Sequence, residues 1–241
     1  MSFKTIHNKL TDIIKAEDNQ VNQTTKPFPP SPQPFVWLAV GRKGSGKTTI
    51  IKNLLDSDQG FKKRFHNIYL ISKTAENDDK LKRLVEELDE DGKFYNTCND
   101  GIVEEVLDKI KKFNKEYTTK HKKKKPENLV LFDDCLDSLP LSVEKNSAIN
   151  KLIVGHRHYK TSIIISVQKW SAVNRLIRNN ADCVSYFTNQ NDKENKSFQE
   201  EYGISDELLN FATSEPHSFL HLTFLNNAQK TYFKRFDRII I

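Results

Sequence analysis

An apolar run from Phe35 to Val40 leads directly into Gly41-Arg42-Lys43-Gly44-Ser45-Gly46-Lys47-Thr48, a complete G-x-x-x-x-G-K-T. Thr49-Ile50-Ile51-Lys52-Asn53-Leu54-Leu55 follows it. Few local patterns restrict a fold as strongly. A buried strand must deliver the chain into a Gly-rich turn, and a helix must start with its N–H groups facing whatever the turn encloses. The turn's backbone N–H groups wrap phosphates, and the helix end adds positive potential. Gly41, Gly44 and Gly46 allow positive φ and close approach of the backbone. Lys47 is expected to reach the β- and γ-phosphates and the Thr48 hydroxyl to bind Mg²⁺, with Ser45 and Thr49 completing the cradle. Arg42 and Lys43 either add charge to the phosphates or are exposed loop cations. The pattern predicts a site for ATP or GTP and does not choose between them.

The rest of the chain reads as alternating elements. Strands are expected at 67–71, 129–132, 161–167 and 183–188. Helical spacing marks 78–88, 102–113, 143–154 and 171–180, and a polar helical patch covers 192–213. Near-continuous apolar strands alternating with helices predict an α/β fold, a three-layer phosphate-loop NTPase with a mostly parallel central sheet. Residues 218–225 and 230–236, joined by Asn226-Asn227-Ala228-Gln229, read as a C-terminal β-hairpin. Before Phe35 the pattern differs. Weak helical periodicity at 3–18 gives way to Lys26-Pro27-Phe28-Pro29-Pro30-Ser31-Pro32-Gln33-Pro34, an extended arm in which prolines fix φ and remove donors. The expected division is therefore 1–34, an N-terminal helix and Pro-rich arm, and 35–241, the NTPase domain.

A length of 241 residues suffices for one substantial core. No apolar stretch reaches the roughly 18 residues of a membrane span, and the first residues lack the apolar core of a secretory leader. The three cysteines, Cys98, Cys135 and Cys183, are scattered without C-x-x-C spacing, which points to a reducing compartment rather than zinc or a disulfide framework. The net charge of +6 is concentrated at Lys120-His121-Lys122-Lys123-Lys124-Lys125. That run is either a solvated loop or a phosphate-backbone contact on nucleic acid, and charge alone does not decide.

Binding phosphates is only half of a hydrolase. Asn128-Leu129-Val130-Leu131-Phe132-Asp133-Asp134 supplies the rest, an apolar strand ending in two carboxylates. Asp133 is expected to hold Mg²⁺, directly or through water, and Asp134 to polarise the attacking water. In one branch of phosphate-loop ATPases, RecA-like and termed ASCE, an extra strand lies between the phosphate-loop strand and the acid-bearing strand. A polar residue at its tip faces the γ-phosphate. Gln168, after Ile163-Ile164-Ile165-Ser166-Val167, fits that position.

The phosphate loop, Leu131-Phe132-Asp133-Asp134-Cys135, the stretch from His156 to Gln168, and Leu176-Ile177-Arg178-Asn179-Asn180-Ala181 together resemble the genome-packaging ATPases of large DNA viruses, the poxvirus-type members of the FtsK–HerA superfamily. The resemblance covers roughly residues 35–190. It implies ATP as the nucleotide and a homo-oligomeric ring, a hexamer or pentamer, that threads double-stranded DNA into a capsid through a capsid or capsid-vertex partner. It places the protein in the host cell cytoplasm, at sites of virus assembly, and in the virion. It also implies an arginine reaching from one subunit to the γ-phosphate in the next. Arg157 is the first candidate, followed by Arg178 and Arg175. On this reading Lys122, Lys123, Lys124 and Lys125 are the candidate DNA contact. The N-terminal arm, the lysine run and the terminal hairpin lie outside the resemblance.

Two other classes remain open at this stage, a nucleoside or nucleotide kinase and a non-catalytic nucleotide-gated assembly factor. The paired acids favour water as acceptor, and no Arg-rich lid segment is apparent. His156 and His158 lack a third metal ligand nearby in sequence. Cys135 reads as a small buried residue, Trp37 as core and Trp170 as a surface residue available for packing or stacking.

Overall fold

The computed structural model describes residues 4–6, 34–121, 126–135, 147–224 and 230–240. In chain order the strands are β1 (Lys4–Ile6), β2 (Val36–Val40), β3 (Asn67–Ser72), β4 (Phe94–Tyr95), β5 (Asn128–Asp133), β6 (Thr161–Val167), β7 (Cys183–Tyr186), β8 (Leu220–Thr223), β9 (Thr231–Lys234) and β10 (Asp237–Ile240). The helices are α1 (Lys47–Asp56), α2 (Lys82–Glu90), α3 (Asp100–Lys120), α4 (Ala148–Gly155), α5 (Arg175–Asn179), α6 (Asp192–Tyr202) and α7 (Asp206–Thr213). The strands form one sheet in the order β1-β10-β9-β8-β7-β2-β6-β5-β3-β4. From β7 to β4 every neighbouring pair is parallel. From β7 to β1 every pair is antiparallel.

Strand alternation divides the apolar residues between two cores. Val36, Leu38 and Val40 of β2 face one core with α3, α4, α6 and α7. Phe35, Trp37 and Ala39 face the other with α1 and α2. Both faces of the sheet are covered, which is why β2, β5 and β6 read as unbroken apolar runs rather than alternating ones. The three-layer α/β expectation is met, as is the C-terminal hairpin, with Leu220 opposite Lys234 and Thr223 opposite Thr231.

Several expectations change. Lys4–Ile6, within the segment expected to be helical, is instead an edge strand on β10, with Thr5 opposite Ile239; the rest of that helix lies outside the described residues. A long-range edge decided its conformation, which local periodicity cannot anticipate. The short strands β4 and β10 were not expected either. The polar patch at 192–213 is two helices, because Gly203 adopts φ 61° and Ser205 caps the second by accepting from the N–H of Leu208. Lys120 closes α3 rather than lying in a loop, and Lys122–Lys125 lie outside the described residues. Trp170 is completely buried, edge-on to Phe198 at 5.4 Å between ring centroids, and so is not a surface residue.

Candidate nucleotide-binding and hydrolysis site

The parallel strands end together on one side of the sheet, and the site is assembled from their tips. The phosphate loop leaves β2 with the Gly41 N–H donating to the Val167 carbonyl at 3.0 Å, so the turn is tied to the tip of β6. Gly44 (φ 78°) and Gly46 (φ 110°) take backbone conformations that other residues resist. Gly41 is needed for space instead: a Cβ there would stand 2.6 Å from the Phe187 Cβ and 2.8 Å from the Ser45 hydroxyl.

Lys47, in the first turn of α1, is buried and donates to the Gly41 carbonyl at 2.6 Å and the Arg42 carbonyl at 3.3 Å. Burial lowers its pKa, and the neighbouring Asp134 and Asp133 charges work against that shift. Its ammonium is thus held in the loop it would share with phosphates. Lys43 lines the adjoining cavity, whereas Arg42 is exposed and does not.

β6 lies between β2 and β5, and β5 carries Asp133 at its end. Asp133 is buried, and that burial raises its pKa. Its Oδ2 accepts from the Ser72 hydroxyl at 3.4 Å, and its Oδ1 is buried without a hydrogen-bond partner among the described residues. An orphaned carboxylate oxygen here, in a cavity also lined by Thr48, fits a divalent cation. Asp134 turns off the strand at φ 46°, its N–H donating to the Ser166 carbonyl at 3.0 Å. That turn aims its carboxylate differently from that of Asp133. Its Oδ2 accepts from Gln168 Nε2 at 3.2 Å, and its Oδ1 has no partner among the described residues.

A cavity of about 550 Å³ joins Lys47, Thr48, Thr49, Asp133, Asp134 and Gln168. Sequence reasoning missed its far wall, Thr74 and Asn77 to Lys80, where Lys80 Nζ donates to the Thr49 hydroxyl at 2.9 Å. The signal was a polar run just past a parallel strand, where open α/β sheets place ligand contacts. His217 was also missed. Its Nδ1 lies 3.2 Å from the Ser45 carbonyl, and nothing in its sequence context marks it.

The arginines do not join this cluster. Arg157 pairs with Asp182 at 2.8 Å. Asp182 precedes β7 and accepts from the Val36 N–H at 2.9 Å, so Arg157 sits at the start of the strands, opposite the phosphate loop. Arg178 pairs with Glu201 and lies over the Trp170 ring, 5.1 Å from its centroid. Arg175 is exposed and forms no ion pair among the described residues. His156 is buried with Nδ1 at 2.8 Å from the Ile153 carbonyl. No cluster of metal-ligating His, Cys, Asp and Glu occurs among the described residues. Cys135 is buried, its thiol directed at the Ile71 carbonyl.

The strand inserted between phosphate loop and acid pair separates two branches of phosphate-loop NTPases, and β6 puts this protein in the additional-strand, RecA-like branch. Within that class, the chain belongs to the Poxvirus A32 protein family, whose model matches residues 31–202. The resemblance to viral packaging ATPases of the FtsK–HerA type therefore holds at the level of family. No curated protein matches the chain. Among solved structures, it is similar to B204, the DNA-packaging ATPase from Sulfolobus turreted icosahedral virus, with 19% identity and a TM-score of 0.58 over 83% of this chain and 97% of that one. It is similar to the genome packaging NTPase B204 from Sulfolobus turreted icosahedral virus 2 in complex with ATP-gammaS, with 19% identity and a TM-score of 0.57 over 83% and 96%. The pCW3 conjugation coupling protein TcpA shares 16% identity and a TM-score of 0.53 over 85% of this chain and 61% of its own. At these identities the likeness is one of fold.

Proposed function

We propose that this protein is an ATPase that moves double-stranded DNA into a viral capsid as a subunit of a homo-oligomeric ring, a hexamer or pentamer, docked on a capsid or capsid-vertex protein. The observation that carries the reading is the Asp134–Gln168 contact at the mouth of the phosphate cavity. It joins the group that would activate water to the group that would sense whether a γ-phosphate is present. Family membership supports the packaging role, and ATP is the nucleotide that role implies.

In the proposed reaction the loop N–H groups and Lys47 hold the triphosphate. Thr48 and Asp133 would hold Mg²⁺, which supplies charge neutralisation to the phosphate oxygens when bound. Asp134 orients and deprotonates the water whose oxygen attacks the γ-phosphorus, the bond to the β-bridging oxygen breaks, and ADP and phosphate leave. Loss of the γ-phosphate changes what Gln168 contacts, and its grip on Asp134 is the first bond free to change.

A trans-acting arginine must be free to leave its own subunit. Arg157 and Arg178 are committed to Asp182 and Glu201, which favours Arg175 for that role. Lys122–Lys125 are proposed as a DNA backbone contact, 35–241 as the ATPase unit with 1–34 as an arm, and the host cytoplasm and virion as the places of action. No helix among the described residues is long and apolar enough to cross a membrane.

The test is steady-state ATP hydrolysis by the assembled protein with and without long double-stranded DNA. Several-fold stimulation is the expected result. Hydrolysis indifferent to DNA, or phosphate transfer to a nucleoside, would sink the translocase reading.

A further inference from the structure

Gln168 has little of its own to hold it. It is exposed, and its side chain makes one hydrogen bond among the described residues, to Asp134 Oδ2 at 3.2 Å. One such bond gains a flexible side chain about as much as it loses in rotamer freedom, so the aim of Gln168 depends on how firmly its backbone is fixed. β6 ends at Val167, paired with Val40, and the chain then leaves the sheet. One face of α6 holds the segment that follows.

Glu194, Phe198, Glu201 and Tyr202 stand at i, i+4, i+7 and i+8, a single stripe of that helix. The Phe198 and Tyr202 rings pack on Trp170 with centroids 5.4 and 5.5 Å away, and Glu201 Oε2 accepts from Trp170 Nε1 at 3.2 Å. Glu194 takes the next residue twice. Its Oε2 accepts from the Ser171 N–H at 3.0 Å and its Oε1 from the Ser171 hydroxyl at 2.6 Å.

That is not the ordinary use of a glutamate in this place. Glu194 is the third residue after the N-cap Asn191, where a glutamate commonly turns back to the N-cap N–H. Here the Asn191 N–H donates to Asn189 Oδ1 at 3.1 Å instead, which leaves both Glu194 oxygens for Ser171. Asn189 Nδ2 in turn donates to the Gln168 carbonyl at 3.4 Å. The start of α6 thus grips the Gln168 segment at two points, at Gln168 itself through Asn189 and at Ser171 through Glu194. Burying the Glu194 carboxylate costs free energy, which the two Ser171 bonds and the positive potential of the helix start offset.

We propose that Glu194 is a positioning residue for hydrolysis. By holding Ser171 at both its N–H and its hydroxyl, it sets the backbone from which Gln168 meets Asp134 and the γ-phosphate. It touches neither the nucleotide nor the attacking water and acts through Gln168. The proposal rests on the reading of Gln168 as the γ-phosphate sensor and names what aims it.

The test is a double-mutant cycle read by single-turnover ATP hydrolysis at saturating ATP and Mg²⁺, with equilibrium ATP binding measured on the same assembled proteins. Gln168→Ala should slow hydrolysis about tenfold to a hundredfold, and Glu194→Ala should fall in the same range without exceeding it. ATP affinity should stay within about twofold in both. The double variant should be no slower than Gln168→Ala alone, because a misaimed side chain that is already gone cannot be missed. Glu194→Gln keeps an acceptor for the Ser171 N–H and offers the hydroxyl oxygen a donor, so it should restore the rate to within about threefold of wild type. Ser171→Ala, which removes the hydroxyl contact from the exposed side, should show a smaller slowing that is likewise absent beside Gln168→Ala, and it carries the test if Glu194→Ala does not fold. A wild-type rate in Glu194→Ala would overturn the proposal. So would slowing that multiplies in the double variant, or ATP affinity falling in step with rate, since either makes Glu194 a general support of the fold. A wild-type rate in Gln168→Ala would overturn the sensor reading itself, and the role of Glu194 with it.

Discussion

Asp134→Asn isolates proton transfer from everything else the site does. The left-handed backbone at Asp134, φ 46°, is one asparagine accepts readily, so the fold and the hydrogen bond to the Ser166 carbonyl should survive. The amide can still turn its oxygen to Gln168 Nε2, where Asp134 Oδ2 now accepts at 3.2 Å. That puts an NH₂ group in place of Oδ1, which is buried without a partner among the described residues and is the oxygen proposed to take the proton, and a donor cannot take one. A positioned base contributes roughly 10²- to 10⁴-fold, equivalent to about 3–5 kcal/mol of barrier at about 1.4 kcal/mol per tenfold. On the proposed reading, phosphate binding would reside in the loop and Lys47, on other elements, so ATP affinity should change less than about threefold, the size of a minor rearrangement. Single-turnover hydrolysis together with equilibrium ATP binding separates the two quantities. A variant that keeps more than about a tenth of the wild-type rate would refute Asp134 as the base. Equal loss of binding and rate would instead mean that the carboxylate organises the loop.

Four further variants have outcomes set by the same geometry. Asp133→Asn should raise the thermal stability of the nucleotide-free protein and remove the extra stabilisation that Mg²⁺ adds to bound ATP. Burial holds the native Asp133 pKa above its unfolded value, so its charged form costs stability that is absent below about pH 4 and grows as pH rises through the native pKa. Stability-versus-pH curves of the two proteins should converge at acid pH and separate above it. Gly41→Ala forces a methyl to within 2.6 Å of the Phe187 side chain, which should cost about 1–3 kcal/mol in denaturant unfolding and weaken ATP binding. In the assembled ring, Arg175→Ala should slow hydrolysis by on the order of 10³-fold without altering ATP affinity. Arg157→Ala should leave the rate intact and cost about 1–3 kcal/mol of stability, because its exposed guanidinium pairs with Asp182, a buried carboxylate that would lose a charged partner; the reverse ranking would return Arg157 to the nucleotide.

Residues close in sequence were legible in advance. The turn from Gly41 to Thr48, the acids at the tip of β5 and the Gln just past β6 each sit where a strand stops, and apolar runs show where strands stop. The inserted position of β6 was anticipated through the resemblance and is observed in the pairing of Val36 with Ile163 and of Val130 with Ile163.

What the sequence by itself determined is therefore the chemistry that short-range geometry imposes: a glycine turn for phosphates, a helix start and paired carboxylates at a strand tip. Only the tertiary structure decided what depends on contacts far apart in the chain. It drew Lys4–Ile6 into the sheet beside Ile239, buried Trp170 beneath α6, and committed Arg157 to Asp182 and Arg178 to Glu201. It also brought His217 to Ser45 across 172 positions. No periodicity encodes such meetings, because they follow from how whole layers pack rather than from the preference of any one segment.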